Sequence, residues 1–199
     1  MNPICYGNRR LSCRCIVLMR SASPGDPELY IHDRVFFQSA DIEDEIDSSN
    51  DAAGLNDQKP QKEKTKMTPF PIGYKIIQEL ENQYKDYGFD WKGAILPKLH
   101  HMIRELFEGM TIAYPNMSKS DQSRAIYGVD VMFNVQNMDD THESKFIEPK
   151  LTEVTFCPEN PAVREFCEND EGIRQIYNNE IFCCLFLGET DGRNITRIN

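Results

Sequence analysis

Apolar residues in this chain follow two rhythms that alternate along its length. Between Trp91 and Met110 they recur every three or four positions, at Trp91, Ile95, Leu99, Met102, Ile103, Leu106 and Met110. That is the period of one helix face, and it predicts a helix over residues 91–112. Pro97 falls near its start, so the helix either kinks there or becomes regular only from about Leu96. Residues 74–86 repeat the rhythm with Ile76, Ile77, Leu80 and Tyr84, and Gly88 is a natural stop. Ile173, Ile176, Tyr177, Ile181 and Leu185 predict a last helix that ends at Gly188.

Other segments pack β-branched and aromatic residues densely, with no helical period. Residues 15–19 and 29–37 read as two strands joined by a turn at 23–27, where Pro24, Gly25 and Pro27 favour reversal. Residues 126–132 and 151–156 read as a second pair, separated by a polar stretch from Asn134 to Lys145. Pro158 and Pro161 stop that sheet, and Asn160 before Pro161 suits the cap of a short helix through Phe166. The predicted order is strand pair, linker, two helices, strand pair, two helices. That makes an α+β layer with helices against an antiparallel sheet.

Composition narrows the class. The chain has 199 residues, 40% of them hydrophobic, enough to bury one core. No apolar run approaches the roughly 18 residues of a membrane span. The basic pair Arg9-Arg10 follows several mixed residues, the wrong order for a secretory signal, so a cytoplasmic protein is expected. Seven cysteines occur without a Cys-x-x-Cys pair, which suits reduced thiols rather than a zinc site or a disulfide framework. His100 and His101 lie beside the apolar stripe of the long helix with no acidic or thiol partner at ligand spacing. They are expected at the core edge or in solvent.

The net charge of −10 is uneven. Five arginines against three acids give residues 1–40 a balance of +2, which leaves −12 on the remainder. Residues 41–57 hold seven acids and no base, and residues 59–66 hold four lysines and one glutamate. With only Ile42, Ile46 and Leu55 as large apolar side chains, residues 41–66 cannot offset their ordering entropy and are expected to form a disordered linker. No basic stripe with interleaved aromatics occurs, so nucleic acid is not an expected partner.

The predicted second strand pair carries one carboxylate on each strand, Asp130 and Glu153. They lie symmetrically about the midpoint between Thr141 and His142, so a regular hairpin sets them opposite each other on one face. Two like charges in that position destabilise a sheet unless a cation lies nearby. Mg²⁺ is one candidate, since it takes one or two carboxylates and completes its shell with water and phosphate oxygens. An exposed face, or neutralisation by Lys or Arg, are the others.

The run Tyr127-Gly-Val-Asp-Val-Met132, a polar loop, then Glu148-Pro-Lys-Leu-Thr-Glu-Val-Thr-Phe-Cys-Pro158 resembles the end of a tubulin–tyrosine ligase-like domain of the ATP-grasp superfamily. Leu11-Ser-Cys-Arg14-Cys-Ile is similar to that family's Phe-Asp-Ile-Arg strand. Asp90-Trp91 through Ala113 resembles the family's helix before this second strand pair, and Phe182-Cys-Cys-Leu-Phe-Leu187 its closing helix. The likeness covers roughly residues 10–40 and 75–190, with its four motifs in the family's order.

This resemblance implies a partial ATP-grasp domain. Residues 1–40 would supply one strand pair, 41–66 a linker, and 67–199 the helices and the metal-site pair. It further implies that Asp130 and Glu153 hold Mg²⁺ on ATP phosphates and that Thr155 lies at the nucleotide side. Arg14 would be a catalytic clamp for phosphate or a substrate carboxylate. The family's chemistry activates a carboxylate for attack by an amine, with tubulin or another acidic protein tail as target and the microtubule as setting.

Three positions depart from the pattern. Thr155 replaces an asparagine, Ser12 replaces the acid before Arg14, and Gln38 falls about where an arginine is usual. The family also uses an upstream lobe with phosphate-binding lysines, and this sequence has no Gly-rich phosphate loop. The intact parent is therefore expected to ligate an amino acid to a protein tail, with this chain alone incomplete. The alternative is a non-catalytic tubulin- or protein-binding module, a pseudo-ligase.

Overall fold

The computed structural model describes residues 2–7, 9–41, 66–68, 70–118, 124–137, 145–158 and 171–198. Its organising element is β2 (Arg9–Ser21), a strand of 13 residues. Leu11, Cys13, Cys15, Val17 and Met19 bury one face, and Ile16 and Leu18 bury the other. A strand covered on both sides needs a nearly continuous apolar run, which explains the density of the sequence from Cys15 to Met19.

Along one edge β2 pairs antiparallel with β6 (Ala125–Asn137), in register from Ser12↔Met132 to Met19↔Ala125. Along its other edge two strands share the length. β3 (Glu28–His32) pairs with the C-terminal half and β4 (Phe36–Asp41) with the N-terminal half, both antiparallel. The sequence predicts a single strand over 29–37, and the structure corrects this. From Arg14 to Val17 β2 advances three residues, while its partner advances five, from Ile31 to Phe36. The extra residues bulge out, and a polar pair, Asp33-Arg34, occupies the break.

The sheet is completed by β1 (Cys5–Tyr6) on β2, β5 (Lys66–Thr68) on β4, β7 (Lys145–Phe156) on β6, and β8 (Ile195–Ile198) on β3. All eight described strands pair antiparallel. Three short strands, β1, β5 and β8, have too few residues for a readable period. The predicted hairpin is present but longer than expected, since residues 134–137 and 145 of the polar stretch are strand. The expected linker, apart from Asp41 and Lys66, and the short helix at 160–166 lie outside the described residues.

Helices cover both faces. On one, a π-turn (Trp91–Ile95) leads into α2 (Leu96–Ala113), and Asp90 caps the start by accepting the Gly93 N–H at 2.9 Å. The regular helix thus begins at Leu96, where Pro97 costs no interior hydrogen bond. A ridge of residues four apart, Trp91, Ile95, Leu99, Ile103 and Phe107, is buried, and each large side chain contributes about 2 kcal/mol by leaving water. Phe107 meets Tyr127 with ring centroids 4.9 Å apart. Met102, Leu106 and Met110, expected in the stripe, flank it half-buried. The helix α1 (Phe70–Gln83) adds Ile76 and Leu80, four residues earlier in its start than its sequence rhythm suggests.

The opposite face is shorter of cover. There α3 (Glu171–Phe182) and a closing π-turn (Cys183–Leu187) pack Tyr177, Cys184 and Leu185 on Ile16, Leu18, Tyr30 and Phe36. Gly188 ends this segment at φ 74, and a Cβ there would lie 3.0 Å from the Arg20 guanidinium. A glycine is therefore needed twice over, for conformation and for space.

A polar network inside this second core fastens α3. His32 is fully buried, accepts the Arg34 N–H at Nδ1 (3.1 Å), and meets Glu180 through Nε2 at 3.0 Å. Since Nδ1 accepts, Nε2 carries the proton and donates it to Glu180. The second Glu180 oxygen accepts the Asn194 side-chain amide at 2.7 Å. Burial pushes the His32 pKa below its ordinary 6.5, against the pull of Glu180 and Asp33 and with the help of Arg34. Burial would raise Glu180, but hydrogen bonds from Asn194 and His32 outweigh it and hold that carboxyl below its ordinary value.

Both shifts have the same sign in pH. With a lowered His32, the unfolded chain protonates first, so this stability is present above about pH 6.5 and lost as pH falls. A depressed Glu180 contributes stability above about pH 4.5 that is lost on further acidification. Urea midpoints should therefore drop between pH 7.5 and pH 5, and the slope should flatten in His32→Gln. A wild-type-minus-variant difference that stays constant over that range would contradict this account.

Candidate functional site

On the face of the sheet that α3 covers in part, three charged residues line up in one row. Arg14 of β2 lies opposite Asp130 of β6, and Asp130 lies opposite Glu153 of β7. Directly paired residues in antiparallel strands project to the same side, so the three form a cross-strand sequence of plus, minus, minus. The row on one side of it holds Gln38, Ser12, Met132 and Lys150, and the row on the other side holds Ile16, Gly128 and Thr155. The expected facing of Asp130 and Glu153 is the register observed. It occurs at a break in the ladder, because between Asp130 and Val131 the register shifts by one residue. Thr152, the extra residue there, donates its hydroxyl to the Asp130 carbonyl at 2.9 Å.

Asp130 is 7% exposed, and a carboxylate so placed must be compensated. Arg14 does this with a fork: Nε donates to Oδ1 at 2.7 Å and Nη2 to Oδ2 at 2.6 Å. The hydrogen bond to Asp130 raises the Arg14 pKa above its ordinary value, burial works against it, and Glu153 adds attraction. Glu153 itself is exposed, and one of its oxygens accepts the Thr155 hydroxyl at 3.2 Å.

Gly128 lets this arrangement close. A Cβ at that position would sit 3.0 Å and 3.2 Å from Pro158 and 3.4 Å from the Arg14 Cδ. The chain reaches Pro158 through Cys157, which takes φ 46, a strained value for a non-glycine residue and the more so before proline. The end of β7 thus folds back over the sheet and packs beside the Arg14 stem.

Two carboxylates are a hard-oxygen donor set of the kind Mg²⁺ uses together with phosphate and water, so the chemistry of the pair fits that ion. Among the described residues no group of three or more His, Cys, Asp or Glu converges as a metal site. Each Asp130 oxygen accepts one bond from Arg14, and the side chain is only 10% exposed, so an ion at Asp130 competes with the guanidinium for the same carboxylate. Of the other expectations, His100 lies half-buried at the core edge and His101 is exposed. His101 does have an acidic partner one helical turn on, since Glu105 lies 3.5 Å away, which corrects the reading that none shares its spacing. The six described cysteines are free thiols, and burial pushes Cys184 up to about 11. The His32–Glu180–Asn194 network is the polar constellation that sequence reasoning missed. Its one signal is Glu180, three residues after Tyr177 and four before Cys184, inside an otherwise apolar stripe.

If Arg14 stabilises chiefly by compensating Asp130, Arg14→Met should cost about 3 kcal/mol by stranding a buried charge. The double variant Arg14→Met/Asp130→Leu should recover most of that loss, as read from urea unfolding. A double variant as unstable as the single one would show that the cost lies in packing.

Comparison with known proteins extends the geometry. The chain is 28% identical to "Tubulin--tyrosine ligase-like protein 12" of Mus musculus over 201 residues, an alignment that covers 96% of this chain and 28% of that protein. The chain therefore spans little more than a quarter of that relative's length. Residues 1–169 match the model of the tubulin-tyrosine ligase family. A match over this much of the chain, with an α+β antiparallel sheet consistent with part of an ATP-grasp fold, means that the chain belongs to the tubulin-tyrosine ligase family.

Proposed function

We propose that this chain carries the carboxylate pair of an ATP- and Mg²⁺-dependent ligation site, used in the intact parent to join an amino acid to a protein tail. One observation supports this most directly: Asp130 and Glu153 are paired across β6 and β7 on a partly open face. In this reading Asp130 and Glu153 are the metal ligands, and Thr155 orients Glu153 beside the nucleotide through its hydroxyl. Arg14 presents a guanidinium to phosphate or to the carboxylate being activated. Bound Mg²⁺ would supply charge neutralisation on the phosphate oxygens.

The target in this reading is tubulin or another acidic tail, reached in the cytoplasm or at the microtubule. Residues 1–40 and 67–199 form the ligase-like unit, and 41–66 a linker within it. Among the described residues no helix is long and apolar enough to cross a membrane.

A second reading, a non-catalytic tubulin- or protein-binding module, has its own support. Both oxygens of Asp130 are already satisfied by Arg14, so the site is stable with no metal, and Thr155 has a shorter reach than the family's asparagine.

Thermal unfolding of the intact parent with and without millimolar MgATP separates the two. The ligation-site reading expects a rise in Tm of several degrees, equivalent to about 1–3 kcal/mol of binding, abolished in Asp130→Asn. An unchanged Tm, together with a tubulin pull-down that survives Glu153→Gln, would favour the binding module.

A further inference from the structure

We propose that Arg14 holds the place of the divalent ion at Asp130, so that this chain excludes free metal and takes up metal and phosphate together. The proposal deepens the ligation-site reading and rests on it for the phosphate. The geometry concerns this chain's own residues. Asp130 has two oxygens, and the planar fork of Arg14 engages both at 2.7 and 2.6 Å, the arrangement in which guanidinium and carboxylate match best. Its side chain is only 10% exposed, that of Arg14 13%, so little room is left for an ion to approach beside the guanidinium.

Glu153 offers the second carboxylate, but one of its oxygens is bonded to Thr155. An exposed single carboxylate holds a hydrated Mg²⁺ weakly, because that ion gives up water reluctantly. The row as it stands sums to −1, with a cation at its inner end repelling another. Without the Arg14 charge the same row is −2, with both Asp130 oxygens available.

A phosphate changes the balance, because it is the other anion that a guanidinium binds bidentately. The Arg14 stem is confined beside Gly128 and Pro158, so exchange of partners involves the end of the side chain rather than the strand. When the fork turns to phosphate, Asp130 loses its counter-charge and becomes a ligand. Coupling of this kind is reciprocal: phosphate raises metal affinity by the factor by which metal raises phosphate affinity.

The test uses the full 199-residue chain. Mn²⁺ binding without nucleotide is measured by electron paramagnetic resonance for wild type, Arg14→Gln and Arg14→Lys. Arg14→Gln should bind Mn²⁺ about tenfold more tightly than wild type, a gain removed by adding Asp130→Asn. Arg14→Lys, which keeps the charge without the fork, should fall between, and it decides the matter if Arg14→Gln does not fold. Wild type taking up Mn²⁺ as tightly as the folded variants would overturn the proposal.

A fluorescent ATP analogue, titrated with and without Mg²⁺, provides the second arm. Mg²⁺ should tighten its binding about tenfold in wild type and much less in the Arg14 variants. If no form binds the analogue while the Arg14 variants still gain Mn²⁺, the blocking role of Arg14 stands and the nucleotide reading fails.

Discussion

A carboxylate in the middle of a core strand is tolerable only beside a cation, and the fork between Arg14 and Asp130 meets that requirement. It joins β2 to β6, the two longest of the described strands, in the row whose Phe36 packs on Tyr177 of α3. Much of the neighbourhood follows from it. Gly128 is small because Pro158 and the Arg14 stem lie over it. Glu153 can face Asp130 because the positive charge next door offsets the repulsion. The same pair that makes the face chemically interesting makes it stable, and any ion placed there has to compete with an arginine already in position.

The sheet distributes its two tasks between its faces. One face is a conventional core, where the ridge of α2 from Trp91 to Phe107 fills the grooves over Tyr127, Val129, Val131 and Phe133. Close packing there leaves no place for charge. The other face is divided along the strands. Its further half is apolar under α3 and the closing π-turn, and its nearer half carries the row from Arg14 to Glu153. The buried His32–Glu180–Asn194 network fixes the position of α3, and with it the boundary between the apolar half and the charged half.

Membership in the tubulin-tyrosine ligase family rests on a match to residues 1–169, whereas the relative from Mus musculus is more than three times as long as the stretch aligned to it. The chain's residues account for a carboxylate pair, its arginine and the strands that hold them.

Periodicity made the long helix, the last helix and the hairpin legible, because each repeats its signal over enough residues to average out exceptions. Pro97 pointed correctly to a regular helix from Leu96. The facing of Asp130 and Glu153 was expected from a regular hairpin, yet counting from Asn137↔Lys145 through the turn would set Asp130 opposite Thr152, and the extra residue at Thr152 is what brings Glu153 into place. Counting could not reveal the bulge at Thr152 or the split between β3 and β4, because an inserted residue shifts the alternation of one strand against its partner and no single residue type marks where that happens.

What the chain by itself determined, then, is which residues share a face. Which charge neutralises which was decided only in three dimensions. Arg14 and Asp130 are 116 positions apart, as His32 and Glu180 are 148, and no local pattern links residues so distant. Their partnership arises when burial removes water and leaves each buried charge or ring nitrogen to find its counterpart among whatever the fold has brought near.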